Sequence, residues 1–73
     1  MTWNYRIIHH DDHEHSYYGL HEIYYDEKGI TNWTAEATVV GDDAAEIVRS
    51  LKMMLKDAEN SPVLIHSDIV KLS

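Results

Sequence analysis

The chain has 73 residues, which suffice for one small domain over residues 1–73, and its seventeen Ile, Leu and Val residues support only a thin apolar core. Thirteen acidic residues against six Lys or Arg give a formal charge of −7, which argues against direct binding to nucleic-acid phosphates. The absence of cysteine excludes disulfides, thiol nucleophiles and cysteine-ligated metals.

The first part of the chain has the residue pattern of two strands. Residues 3–8 alternate with a period of two and are rich in aromatic and β-branched residues, which predicts a first strand ending near His9 or His10. Residues 10–16 are polar throughout and indicate a solvated connection. Tyr17–Tyr25 is predicted to form the second strand, with aromatic side chains on both faces.

A hairpin is predicted next. Asp26, Glu27, Lys28 and Gly29 supply turn-forming residues, with the glycine placed to take a positive φ. Residues 30–40 then alternate between apolar and polar side chains, which predicts a third strand with one wet face.

The second half of the chain is predicted to contain one long helix. Asp43 followed by Glu46 matches a capping box, and Pro62 disfavours helical geometry at the residue before it, so we predict a helix from about Asp43 to Glu59. Val63–Ile65 is predicted to be a short fourth strand. The apolar stripe of this helix consists of Ala44, Ile47, Val48, Leu51, Met54, Leu55 and Ala58.

The element order β-β-β-α-β predicts an α+β fold. We expect a three- or four-stranded antiparallel sheet with the single helix packed on one face. Because the helix stripe would cover the sheet, Leu51→Ala is expected to cost about 2 to 5 kcal/mol. The residues expected in the core are Ile23, Trp33, Ile47, Val48, Leu51 and Leu55.

Five of the six histidines lie between residues 9 and 21, interleaved with acidic residues. If the loop were extended, His9, Asp11, His13 and His15 would project to one side, and imidazole and carboxylate are ligands for zinc or nickel. The simpler interpretation is a solvated loop that binds nothing, because the spacing matches no recognised metal motif. We therefore predict that no cofactor is needed for folding.

The sequence contains no recognisable catalytic constellation. On a strand, His21 and Glu22 point to opposite faces, so they cannot act on one substrate atom. Ser16 lacks the surrounding pattern of a nucleophile elbow, and the three glycines are too far apart to form a phosphate-binding loop. We therefore predict that the protein is not an enzyme.

The tyrosines are the predicted binding residues. Tyr17, Tyr18, Tyr24 and Tyr25 exceed what a thin core needs, and strand alternation places some of them away from the helix, where they could anchor an interface. The alternative is that they pack with one another across strands. Stacking on single-stranded nucleic acid would use the same rings, but it normally needs a basic groove.

Several segments resemble a known group of sequences. The pattern consists of WNYR at residues 3–6, HEIYYD at residues 21–26, Gly29, Trp33 and the capped helix. It resembles a group of short bacterial proteins with the pattern WNYR, HEVYYD, a glycine and a tryptophan, which have no assigned activity. The element order is also similar to the N-terminal domain of HicB-type antitoxins, a likeness of topology alone.

These observations favour a non-catalytic protein-binding or regulatory module. The expected partner is another protein or a second copy of the chain, with no nucleic acid and no membrane as partners. A more specific form of this hypothesis is an antitoxin-like protein that neutralises a basic partner. The alternative is a zinc- or nickel-binding protein that uses residues 9–15. Because the sequence lacks a run of about 20 apolar residues and a signal-like start, we expect a cytoplasmic location.

Overall fold

The computed structural model describes residues 2–72, and these residues form an α+β fold, as predicted. A four-stranded sheet has the spatial order β3-β2-β1-β4. The strands are β1 (Thr2–His10), β2 (Tyr17–Asp26), β3 (Gly29–Glu36) and β4 (Leu64–Ile65). The helices are α1 (Ala44–Asn60), the single-turn α2 (His66–Ile69) and a final 3₁₀ turn (Val70–Leu72).

The sheet differs from the prediction in two respects. β1, β2 and β3 pair antiparallel, but β4 pairs parallel with β1, so the sheet is mixed rather than antiparallel. A parallel pair requires a long connection, and the chain from β1 to β4 runs through two further strands and α1. The third strand ends at Glu36 instead of Val40.

The predicted turn and cap are both confirmed. Asp26 pairs with Gly29 at the end of the β2–β3 hairpin, and Gly29 has a φ of 124°, which a residue with a side chain rarely adopts. Asp43 is the N-cap of α1 and accepts a hydrogen bond from the Glu46 backbone N–H at 2.9 Å. Glu46 in turn accepts from the backbone N–H of Asp42, one residue before the N-cap.

A small apolar core lies on one side of the sheet, which we call the core face. Ile8 and Ile23 are both 0% exposed, and Ile69 of α2 packs on them with 4% exposure. Four partly buried residues complete this cluster: Tyr25, Ile30, Trp33 and Leu64. The core is therefore closed by α2, a segment whose structure was not predicted from the sequence.

The predicted packing of α1 is wrong in part. α1 lies mainly against β1, where Asp57 accepts a hydrogen bond from the Tyr5 backbone N–H and Ser61 accepts one from the Asn4 side chain. The only α1 residue that is buried is Met54. Of the residues expected in the core, Ile23 is buried and Trp33 and Ile47 are partly buried, but Val48, Leu51 and Leu55 are exposed.

The exposure of these three residues has a geometric cause. The apolar stripe is wide enough to form two rows, and contact with the single strand β1 can cover only one of them. The covered row includes Ile47, Met54 and Ala58, while the other row faces away from the sheet.

Candidate functional site

Four histidines meet at one end of the sheet. His10 is the last residue of β1, His13 lies in the loop after it, His21 is in β2 and His66 is the first residue of α2. We call these four residues the histidine cluster. The ring of His10 lies 5.2 Å from that of His13, 5.0 Å from that of His21 and 4.9 Å from that of His66, measured between ring centroids.

His10 is at the centre of the cluster. It is buried, its ring stacks on Tyr17 at a centroid distance of 4.4 Å, and its Nε2 lies 2.9 Å from Nε2 of His21. Gly19 leaves the space that the His21 ring needs, because a Cβ at position 19 would stand 2.8 Å from His21 Nε2.

The hydrogen bonds define which ring nitrogens carry protons. Nδ1 of His21 lies 2.8 Å from the carbonyl oxygen of Thr34, which can only accept, so this nitrogen carries the proton. Nε2 of neutral His21 is then an acceptor, and Nε2 of His10 donates to it. Nδ1 of His10 is left with a lone pair and has no hydrogen-bond partner. In the described part of the chain, every other buried side-chain nitrogen or oxygen has a partner.

His66 is oriented by a carboxylate. Its Nδ1 lies 2.7 and 2.8 Å from the two oxygens of Asp12, to which it donates. The hydrogen bond from His66 lowers the pKa of Asp12, so this carboxyl is ionised at neutral pH. Because the hydrogen bonds to Asp12 use Nδ1, the singly protonated ring has its lone pair on Nε2. The ring stands nearly perpendicular to that of Trp33, at a centroid distance of 5.9 Å.

Among the described residues, two groups of three side chains could each hold a metal ion. In the first set, ligand atoms of His10, His13 and His66 all lie within 4.8 Å of one another, and in the second the same holds for His10, His21 and Glu36. Three imidazoles, or two imidazoles and a carboxylate, are ligand sets found for zinc and other divalent transition metals.

The electrostatics of the cluster keep His10 uncharged. Burial, followed by the neighbouring His21, His66 and His13, lowers the pKa of His10. Glu36 partly opposes this shift, because its own pKa is lowered by a hydrogen bond from its backbone N–H and by one from the Tyr17 hydroxyl, which keeps its carboxylate charged. Histidine normally titrates near pH 6.5, so His10 is neutral at pH 7 and able to offer its lone pair.

The lowered pKa of His10 predicts a pH dependence of stability. The unfolded chain binds this proton more readily than the folded chain, so the free energy of unfolding is expected to fall as the pH drops below about 6.5. The lowered pKa values of Asp11 and Asp12, which Ser67 and His66 produce by hydrogen bonding, add a further loss below about pH 4.

Urea denaturation at pH 7.5, 6.5 and 5.5 measures the free energy of unfolding in the pH range where His10 titrates. A His10→Asn variant lacks the titrating group and should show a flatter pH slope than the wild type, whatever its absolute stability. Equal slopes for the two proteins would contradict the assignment to His10.

The residues predicted as metal ligands are dispersed. His13 belongs to the histidine cluster, but the ring of His9 stacks on Tyr18 on the opposite face of the sheet, at 4.4 Å. Asp11 accepts hydrogen bonds from the backbone N–H and hydroxyl of Ser67, and His15 is exposed in the loop.

Sequence reasoning missed three members of the cluster. His10 and His21 stand on the same face of two paired strands, which strand alternation and the turn positions could have indicated. His66 comes from a segment that had no predicted structure, so no signal in the sequence pointed to it.

The predicted aromatic binding residues do not form one surface. Tyr17 and Tyr25 lie on the core face, where the hydroxyl of Tyr17 donates to Glu36 and that of Tyr25 to Asn4. Tyr18 and Tyr24 lie on the opposite face, and Tyr24 donates to Glu22. Tyr18 is the most exposed of the four, at 65%.

A second candidate surface is the uncovered side of α1. Val48, Leu51 and Leu55 are 48%, 50% and 60% exposed, and we call them the α1 row. The α1 row lies on a different element from the histidine cluster and shares no residue with it.

Comparisons with models of known protein families, with curated proteins and with solved structures gave no match to this chain. The resemblance to the short bacterial proteins and to the antitoxin domain therefore stays a prediction. Among the residues that the structure describes, no helix combines the length and apolar character needed to cross a bilayer.

Proposed function

We propose that this protein is a non-catalytic protein-binding module whose docking surface is the α1 row. The supporting observation is the exposure of three large aliphatic side chains on one side of one helix. Contiguous apolar surface on a small protein commonly marks an interaction site, because leaving it in water is unfavourable.

The spacing of the α1 row fits a helical partner. Residues 48, 51 and 55 follow steps of three and four, the spacing with which one helix packs against another. An amphipathic helix that lays its apolar side along α1 would cover all three residues at once.

The charges around the α1 row favour an acidic partner. Arg49, Lys52 and Lys56 are exposed on α1, whereas Glu46 and Asp57 are held by the backbone N–H groups of Asp42 and Tyr5. The exposed charged residues of α1 are therefore three basic ones and one acidic one, Glu59, which follows Leu55 by one turn. The rim of the docking surface is thus mainly basic, although the whole chain has a formal charge of −7. Acidic residues beside the partner's apolar stripe would complement it, and they would speed the encounter.

The basic rim distinguishes between the expected partners. A second copy of the chain would bring the same basic rim against itself, and an antitoxin-like contact with a basic protein would have to use another, acidic surface. We therefore propose a heterologous partner with an acidic amphipathic helix, in the cytoplasm, with no catalytic step by this chain.

The proposal is tested with a double variant, Leu51→Glu with Leu55→Glu. The variant should remain folded, because both side chains are exposed and glutamate is a good helix former. A partner retrieved from the native host by wild-type protein should be lost with the double variant, and its binding should weaken with added salt.

Val40→Glu is the matched control, because Val40 is 77% exposed and lies outside α1. This variant should retrieve the partner as the wild type does. Light scattering on the isolated protein tests the alternative partner. If the wild type is a dimer and the double variant is a monomer, the α1 row binds a second copy of the chain and not a different protein. A partner retained by the double variant would refute the docking surface.

A further inference from the structure

We propose that His10, His13 and His66 form a binding site for a divalent first-row transition metal such as zinc, with Nδ1 of His10 as the central ligand. This site is independent of the α1 row and of the partner that we propose for it. Three features of the histidine cluster support this site: the lone pairs that the hydrogen bonds leave free, the proximity of the three rings and the orientation of two of them.

Nδ1 of His10 is a buried acceptor that lacks a partner. Buried nitrogen atoms are almost always hydrogen-bonded, since leaving one unpaired is costly, so an unpaired one calls for a ligand. The atom belongs to a ring whose other nitrogen, Nε2, is already engaged by His21 at 2.9 Å. A metal ion would satisfy this lone pair where the described protein atoms do not.

The supporting hydrogen bonds are those of a histidine metal centre. Histidine ligands usually donate the N–H of their second nitrogen to a carboxylate or a carbonyl, which fixes the ring and increases its basicity. His66 donates Nδ1–H to Asp12 in this way. His10 donates Nε2–H to His21, which in turn donates Nδ1–H to the Thr34 carbonyl.

Through these two hydrogen bonds, His21 holds the ring of His10 in position and is not itself a metal ligand. The alternative set of His10, His21 and Glu36 would place the metal between two Nε2 atoms that are 2.9 Å apart and hydrogen-bonded. Two nitrogens bound to one tetrahedral zinc, each at about 2.0 to 2.1 Å, lie roughly 3.3 Å apart, so these rings would have to separate and lose their hydrogen bond. The set of His10, His13 and His66 requires no such loss.

The ligand type selects the class of metal. Three neutral imidazoles suit zinc, nickel or copper, whereas magnesium and calcium require oxygen ligands. His13 is on the exposed loop, so the ion can enter from solvent and a water molecule can complete the tetrahedron.

Calorimetric titration of metal-free, untagged protein with zinc at pH 7.5 tests the site. We expect one zinc per chain with a submicromolar dissociation constant, and no binding of magnesium. His13→Ala and His66→Ala should each weaken zinc binding about 100-fold or more, and His21→Gln about 10-fold, as for other residues that orient ligands. Zinc binding should also weaken below about pH 6.5, where protons compete for the imidazoles.

His9→Ala and His15→Ala are matched controls, because both remove a histidine of the same region that lies outside the cluster. Each should bind zinc within about twofold of the wild type. Since His13 is an exposed loop residue, His13→Ala tests the site even if His66→Ala disturbs α2. Weak binding by the wild type, or equal losses in the control and cluster variants, would show adventitious binding by a histidine-rich loop and overturn the proposal.

Discussion

Replacing Ile8 by alanine is expected to lower the free energy of unfolding by about 2 to 5 kcal/mol. Ile8 is fully buried near the C-terminal end of β1 and packs with Ile23 and Ile69, so the substitution removes buried methyl groups and leaves a cavity. A domain of this length has a total stability on the order of 5 to 10 kcal/mol, and the loss is a large part of it. Urea denaturation followed by circular dichroism measures the change.

Leu51→Ala is the informative comparison, because the sequence alone predicted a loss of similar size for it. In the structure Leu51 is 50% exposed, so its removal should cost less than about 1 kcal/mol. If Leu51→Ala proved as damaging as Ile8→Ala, the α1 row would have to be covered by the sheet or by a tightly bound second copy.

The local features of the fold could be predicted because neighbouring residues determine them. The Asp43 cap, the helix periodicity and the positive φ of Gly29 all follow from short-range stereochemistry, and each is present in the structure. The covered row of α1 depends instead on its position beside β1. That position is fixed by contacts such as Asp57 with the Tyr5 N–H, which join residues 52 positions apart.

The histidine cluster could likewise be predicted only in part, because its members come from distant parts of the chain. The sequence directed attention to residues 9–15 because histidines are dense there, but density does not determine where side chains point. The strand register places His9 and His10 on opposite faces, so only one of them reaches the cluster. His66 reaches it because β4 pairs with the end of β1, a parallel contact that no local pattern encodes.

A substitution in α2 is also expected to have a large effect on stability. Four residues of α2 cannot form a stable helix alone, so its structure depends on tertiary contacts. Its contacts include the burial of Ile69 on Ile8 and Ile23, and the hydrogen bonds that Asp11 and Asp12 accept from Ser67 and His66. The ring of His66 also packs beside those of His10 and Trp33. The exposed hydrogen bonds contribute little by themselves, which leaves Ile69 as the main anchor.

Ile69→Ala is therefore expected to cost about 2 to 4 kcal/mol and to release α2 from the sheet before the rest unfolds. Hydrogen exchange measures this directly: the amide of Ser67, which donates to Asp11, should lose its protection, while amides in the middle of β2 keep most of theirs. Lys71→Ala, at an exposed position beyond α2, is the control and should leave both rates unchanged. If Ser67 and β2 lost protection together, Ile69 would belong to the global folding unit, and if neither changed, the anchor would lie in the Asp11 and Asp12 contacts.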